Sequence, residues 1–274
     1  MARTEQLSLF APGIASGAGV KSRGNGGVKV TYFHSAHRRF QELVVFVPFF
    51  GSHERDLQQH LDMVNELGYD AVAFDFAVSP QSYIFSPRLA RKTKVGLLYL
   101  WADEIEDVLD SFVEPKILYT FSGPAAAAFH ALVARMKRES GTDVKAMICD
   151  SGPFLNIWGS IWSFLKNEYK IPFIARVPAL FLSVAIWGHD HADVLQNDLH
   201  ALPSQFPILS IRGWNDPLIP PSLIDEVFES VKQINLQVFA LPEASHLDGL
   251  RLFKKEYSLR VQRFLEPYSS VLNA

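Results

Sequence analysis

Residues 116–128 read Lys116-Ile-Leu-Tyr-Thr-Phe-Ser122-Gly-Pro-Ala-Ala-Ala-Ala128. The run Ile117 to Phe121 is apolar and aromatic, which predicts a strand ending just before Ser122. Gly123 tolerates backbone angles closed to other residues. Pro124 suits a first helical position, where its fixed φ fits and its missing N–H is not needed. The small side chains Ala125 to Ala128 would let a helix lie close against a sheet. A serine on such a sharp strand-to-helix turn presents its hydroxyl where it can attack a carbonyl. Serine is also a favoured helix N-cap, so the turn alone leaves a structural reading open. Partners further along the chain have to decide.

Working outward, Val28 to His34 alternates like a strand, and Leu43 to Phe49 is a continuous apolar run of the kind buried on both faces. Ala71–Phe76, Val144–Cys149, Pro207–Arg212 and Leu236–Leu241 predict four more strands. Helical spacing marks Leu57–Leu67, stopped by Gly68, then Val95–Phe112, ended by Pro115, and a last helix from about Leu250 to Leu265. Residues 77–94, with Pro80 and Pro87, predict an irregular loop. The alternation of strand and helix predicts an α/β fold, a mainly parallel sheet with helices on both faces. Between Ser151 and Phe206 the pattern breaks. That stretch holds Trp158, Trp162, Phe164, Phe173, Phe181 and Trp187, too apolar for a linker, and is expected to be a helical cap above the strand ends. Ser151-Gly152-Pro153 is expected to lead into it.

Composition excludes several classes. With 48% hydrophobic and 20% charged residues, the 274-residue chain can build a large core, expected as a single unit over 28–274 after a flexible lead-in over 1–27. A net charge of −3 and no basic stripe argue against nucleic acid. Cys149 is the single cysteine, which excludes an internal disulfide. The lead-in lacks the apolar core of a secretion signal, and no apolar run approaches the roughly 18 residues of a membrane span. These features fit a cytoplasmic protein without a membrane span.

A serine hydroxyl needs a base, and the base needs a third group to fix its tautomer. Asp216 follows the strand Pro207–Arg212 through Gly213-Trp-Asn, and His246 follows Leu236–Leu241 through Pro242-Glu-Ala-Ser. The order is Ser, Asp, His, each after the C-terminal end of a strand. From about Val28 to Tyr268 the chain resembles the α/β hydrolases, whose acid loop is similar to Gly213-Trp-Asn-Asp216-Pro-Leu-Ile-Pro220 and whose histidine loop is similar to Ser245-His246-Leu247. The resemblance implies an eight-stranded-type sheet, Ser122 as nucleophile, His246 as general base and Asp216 as its orienting acid. It also implies an oxyanion hole from the N–H groups of Phe50 and Gly123. Where the family's turn is usually Gly-x-Ser-x-Gly, this chain has Thr120 and Pro124, which crowd it.

The implied activity is hydrolysis of a carboxylic ester or related acyl bond through an acyl-enzyme, with an apolar small-molecule substrate and no cofactor. Acyl transfer on the same residues, or a binding protein that keeps only the fold, are the alternatives. Asp150, ending its strand, is a rival for the acid. Phe49, Phe121, Trp158 and Trp162 are the expected substrate contacts. His189, His191 and Asp193 have a spacing that could hold a metal, but a polar loop between cap helices is the preferred reading. His53, beside the Phe50 loop, could touch substrate or lie on the surface, and His130 is expected to be packed or exposed.

Overall fold

The computed structural model describes residues 28–79, 82–83, 96–139 and 142–272. The lead-in 1–27, Val95 and most of the loop 77–94 lie outside the described residues. Seven strands form one sheet: β1 Lys29–Phe33, β2 Leu43–Val47, β3 Asp70–Asp75, β4 Lys116–Phe121, β5 Val144–Asp150, β6 Pro207–Gly213 and β7 Asn235–Leu241. Their order is β1-β3-β2-β4-β5-β6-β7, with only β1 antiparallel to its neighbour. The expected strands all occur, each within two residues of its expected ends. The sheet has seven strands among the described residues where the resemblance implied an eight-stranded type.

Alternation along the central strands explains the layering. On β4, Leu118 faces one core, while Ile117, Tyr119 and Phe121 face the other. Helices α1 (Gln58–Glu66), α8 (Gly249–Leu252) and α9 (Lys254–Leu265) supply Leu61, Val64, Leu250, Tyr257 and Val261 to the Tyr119 side. The other side is covered by α2 (Leu97–Asp110) and α3 (Ala125–Glu139). Both faces of β2 are therefore sealed, and every residue of Leu43–Val47 is fully buried. The sequence predicts one final helix, but the chain bends at Phe253 (φ −125°, ψ 43°), which neither glycine nor proline marks. One further helix, α7 (Pro221–Glu229), buries Ile224, Val227 and Phe228 in the core on the α3 side.

Between β5 and β6 stand α4 (Ile157–Ser163), a π-helical turn Phe164–Glu168, α5 (Phe173–Trp187) and α6 (His191–Ala201). Helix α6 packs on α3 with Val194, Leu195 and Leu199 in the main core, so α4, the turn and α5 form the part that stands clear. Among the described residues no helix is long and apolar enough to cross a membrane.

Order reverses at β2: the chain moves from it to β3 on one side and resumes at β4 on the other. The loops after β2 and β4 consequently part, and the crevice between them is where ligands bind in sheets of this kind. Phe50 and Ser122 sit on its two lips.

Candidate active site

Ser122 has φ 54°, a left-handed conformation that is costly for a residue with a side chain. The surroundings enforce it. Its N–H donates to the Asp150 carbonyl at 2.9 Å, continuing the β4–β5 ladder past the strand end, and its carbonyl accepts from Ala125 N–H at 3.3 Å as α3 begins. Backbone from the next crossover then closes in: a Cβ on Gly152 would stand 2.3 Å from the Ser122 carbonyl oxygen. Ser151-Gly152-Pro153 is therefore a brace against the serine turn as well as the way into the cap, and only glycine fits at 152. Thr120 is fully buried just before the turn. Its hydroxyl donates to the Ile148 carbonyl at 3.1 Å, inside the sheet.

His246 stands between two partners. Its Nδ1 lies 2.7 Å from Asp216 Oδ2, and its Nε2 lies 3.1 Å from Ser122 Oγ. A carboxylate can only accept, so Nδ1 carries the proton and Nε2 is left to accept from the serine hydroxyl. The second oxygen of Asp216 accepts from the N–H groups of Leu218 at 2.8 Å and Ile219 at 2.9 Å, which fixes the carboxylate plane. The acid and histidine loops are also held together directly: Asn215 N–H donates to the Ala244 carbonyl, and a Cβ at Gly213 would lie 2.5 Å from that oxygen. From the insert, Ser163 Oγ donates to the Pro217 carbonyl and the Phe164 ring stands edge-on to the imidazole, centroids 6.0 Å apart.

No protein-family model matches the chain, and no curated protein matches it in sequence. Solved structures do. An esterase of Pyrococcus furiosus superposes with a TM-score of 0.61 at 17% identity, over 91% of this chain and 90% of that one. A thermostable carboxyl esterase of Bacillus coagulans, in complex with glycerol, gives 0.61 at 14% identity over 93% and 99%. A monoacylglycerol lipase of Paleococcus ferrophilus gives 0.60 at 14% identity over 88% and 99%. The fold is that of the α/β hydrolases. Likeness at such identities carries the fold alone.

On this α/β-hydrolase scaffold the N–H groups of Phe50 and Gly123 have no partner among the described residues. The Phe50 ring leans on Trp101 and Gly51 turns the loop at φ 75°. The expected substrate contacts fare unevenly. Phe121 is a correction: its side chain is 1% exposed and packs beneath the sheet with Phe46, Tyr119 and His60, because the alternation of β4 sends it to the α1 face. Phe49 edges on Phe121 at that same side. Trp158 and Trp162 contact Phe181 and Phe173 on α5, so they serve first to join α4 to α5.

The residue that reaches the serine turn is Trp187, at the end of α5, which was expected only as part of the cap. Its indole, between Phe154 and Trp101, comes within 2.8 Å of where a Gly123 Cβ would stand. His191 fixes it. Trp187 Nε1–H donates to His191 Nδ1 at 2.9 Å, so His191 carries its proton on Nε2 and donates to the Phe154 carbonyl at 2.7 Å. Burial holds the His191 pKa down. The expected polar loop at 189–193 is thus corrected at His191, which is a buried strut with both nitrogens engaged. His130, expected packed or exposed, is partly buried and bonded to Asp198 of α6. His53 lies 4.0 Å from Asp75 in a shallow surface hollow with Lys29, Glu54 and Arg55.

Asp150, the rival acid, does not touch His246. It accepts from Tyr257 OH at 2.5 Å and from Ser151 Oγ at 2.9 Å, and Tyr257 in turn meets Tyr119 OH and His60. Ser151 Oγ also accepts from the N–H of Leu247, next to His246, so Asp150 bears on the histidine loop at one remove. No sequence spacing links residues 60, 119, 150 and 257. Only the packing of α1 and α9 on one sheet face brings them together. Burial pushes the Asp150 pKa up to about 6, against the opposing pull of the hydrogen bonds from Tyr257 and Ser151.

That shift sets a sign. The folded protein keeps the Asp150 proton to about pH 6, while the unfolded chain releases it near the ordinary carboxylate value of about 4. The folded state therefore binds more protons between those values, and this group's contribution to stability declines by about 3 kcal/mol as pH rises through the window. In urea denaturation from pH 4 to 7, Asp150→Asn is expected to gain about that much relative to wild type. A difference independent of pH would show that Asp150 is ionised in the folded protein throughout.

Proposed function

We propose that the chain is a serine hydrolase that cleaves carboxylic esters with apolar acyl groups. The observation that carries this reading is the continuous line Asp216–His246–Ser122, at 2.7 and 3.1 Å, with the N–H groups of Gly123, next in the chain, and Phe50, on the other lip of the crevice, unpartnered among the described residues. His246 Nε2 takes the proton as Ser122 Oγ bonds to the carbonyl carbon, and Asp216 stabilises the imidazolium without taking the proton. The carbonyl oxygen, now an anion, accepts from Phe50 and Gly123, each such donor being worth about 2.7–4 kcal/mol. His246 returns its proton to the alkoxide as the ester bond breaks. Water, deprotonated by the same nitrogen, then releases the acid and restores Ser122. No cofactor is needed for either half.

The apolar preference rests on Trp187, Phe154, Phe50 and Phe164, which stand around the serine turn and the imidazole. On p-nitrophenyl esters, kcat/KM is expected to rise from acetyl to mid-length acyl chains, up to about fourfold for each methylene fully buried. Strict preference for acetyl would contradict it. A fluorophosphonate probe is expected to label the protein at Ser122. A folded protein that neither labels nor turns over any ester would be a binding protein on this fold.

A further inference from the structure

Helix α5 is anomalous on physical grounds. Its fifteen residues, Phe-Ile-Ala-Arg-Val-Pro-Ala-Leu-Phe-Leu-Ser-Val-Ala-Ile-Trp, are almost wholly apolar, yet only Val184 is fully buried. Ile174 is 89% exposed, Phe173 66%, Leu182 63% and Phe181 59%. Phe173, Ile174, Val177 and Phe181 follow at helical spacing, so they form one continuous stripe, and Phe181 meets Trp158 at its side. Soluble monomers seldom leave such a patch in water.

Charge indicates what covers it. Residues 156–188 carry Lys166, Lys170 and Arg176 against Glu168 alone, a balance of +2. The remaining 23 cations and 28 acids give the rest of the chain −5. The apolar stripe is thus set in the basic part of an acidic protein. A second copy of the chain, paired through this same face, would bring +2 against +2. An anionic lipid surface meets both properties. Side chains such as Phe173 and Ile174 would enter the acyl boundary, Trp158 and Tyr169, both about half exposed, would sit at headgroup level, and Lys166 and Lys170 would reach the phosphates.

We propose that α5 lies flat on anionic membranes and docks the protein there. The helix ends at Trp187, whose indole packs against Gly123, so the docked helix also touches the serine turn. The proposal does not depend on the catalytic reading.

Sedimentation of the full-length protein with vesicles tests it, using phosphatidylcholine alone and phosphatidylcholine mixed with phosphatidylserine. Binding is expected to the mixed vesicles and to weaken as salt rises. Ile174→Glu combined with Phe181→Glu is expected to weaken it about 100-fold. Lys166→Gln combined with Lys170→Gln is expected to weaken it about 25-fold. Ile174, Lys166 and Lys170 are exposed while Phe181 also meets Trp158, so circular dichroism checks the fold of each variant, and Ile174→Glu alone, which removes no ring contact, is expected to weaken binding about tenfold. Ser122→Ala should bind as wild type does, which separates docking from catalysis. Equal binding to both vesicles, or binding to neither, would overturn the proposal. So would a dimer in light scattering that Ile174→Glu disperses while vesicles fail to bind.

Discussion

Ser122→Ala is expected to lower kcat on a chromogenic ester by about 10⁴-fold or more and to abolish fluorophosphonate labelling, with the fold intact. The loss is large because His246 and the two backbone donors would be left with no nucleophile to assist. Stability gives a second readout. Ser122 holds φ 54°, and relieving such a conformation in a residue with a side chain is worth about 1–2 kcal/mol. Ser122→Gly should therefore be as inactive as the alanine variant but melt higher, by a few degrees. Activity within tenfold of wild type in either variant would sink the assignment of the nucleophile. A glycine variant no more stable than the alanine variant would mean that the turn is not strained.

Asp216→Asn should cost about 10⁴-fold in kcat, and Asp150→Asn about tenfold or less. Both carboxyls are buried and both lie close to the histidine loop, so proximity alone does not separate them. Hydrogen-bond roles do. Asp216 is the acceptor that keeps the proton on His246 Nδ1, and an amide there can present an N–H instead and turn the imidazole to the wrong tautomer. Asp150 accepts hydrogen bonds from two hydroxyls, which can rotate to suit an amide, with the buried His60 Nε2 3.9 Å away, and its path to His246 runs through Ser151 and the Leu247 N–H. Equal losses, or the larger loss in Asp150→Asn, would reverse the assignment.

Much of this was legible in the chain. The strands were readable because a strand covered on both faces is a bare apolar run, as in Leu43–Val47, and because glycine and proline punctuate their ends. Ser122, Asp216 and His246 could be proposed because a parallel sheet sends every strand's C-terminal end to one edge. Phe121 was misplaced for a local reason: it precedes the serine in sequence, but alternation along β4 turns it into the opposite core. Trp187 and His191 are not legible as neighbours of the serine turn because nothing in the stretch 151–206 says which aromatic residue points back at residue 123.

The sequence by itself determined the layered α/β architecture and the order of the three polar residues, since periodicity and punctuation are local properties of the chain. Only the tertiary structure decided between Asp216 and Asp150 as the neighbour of His246, put Trp187 over Gly123, and gathered His60, Tyr119, Asp150 and Tyr257 into one buried network. Those are contacts between residues dozens to more than a hundred positions apart. Each depends on where a side chain points after helices and sheet have packed, and no local pattern encodes that.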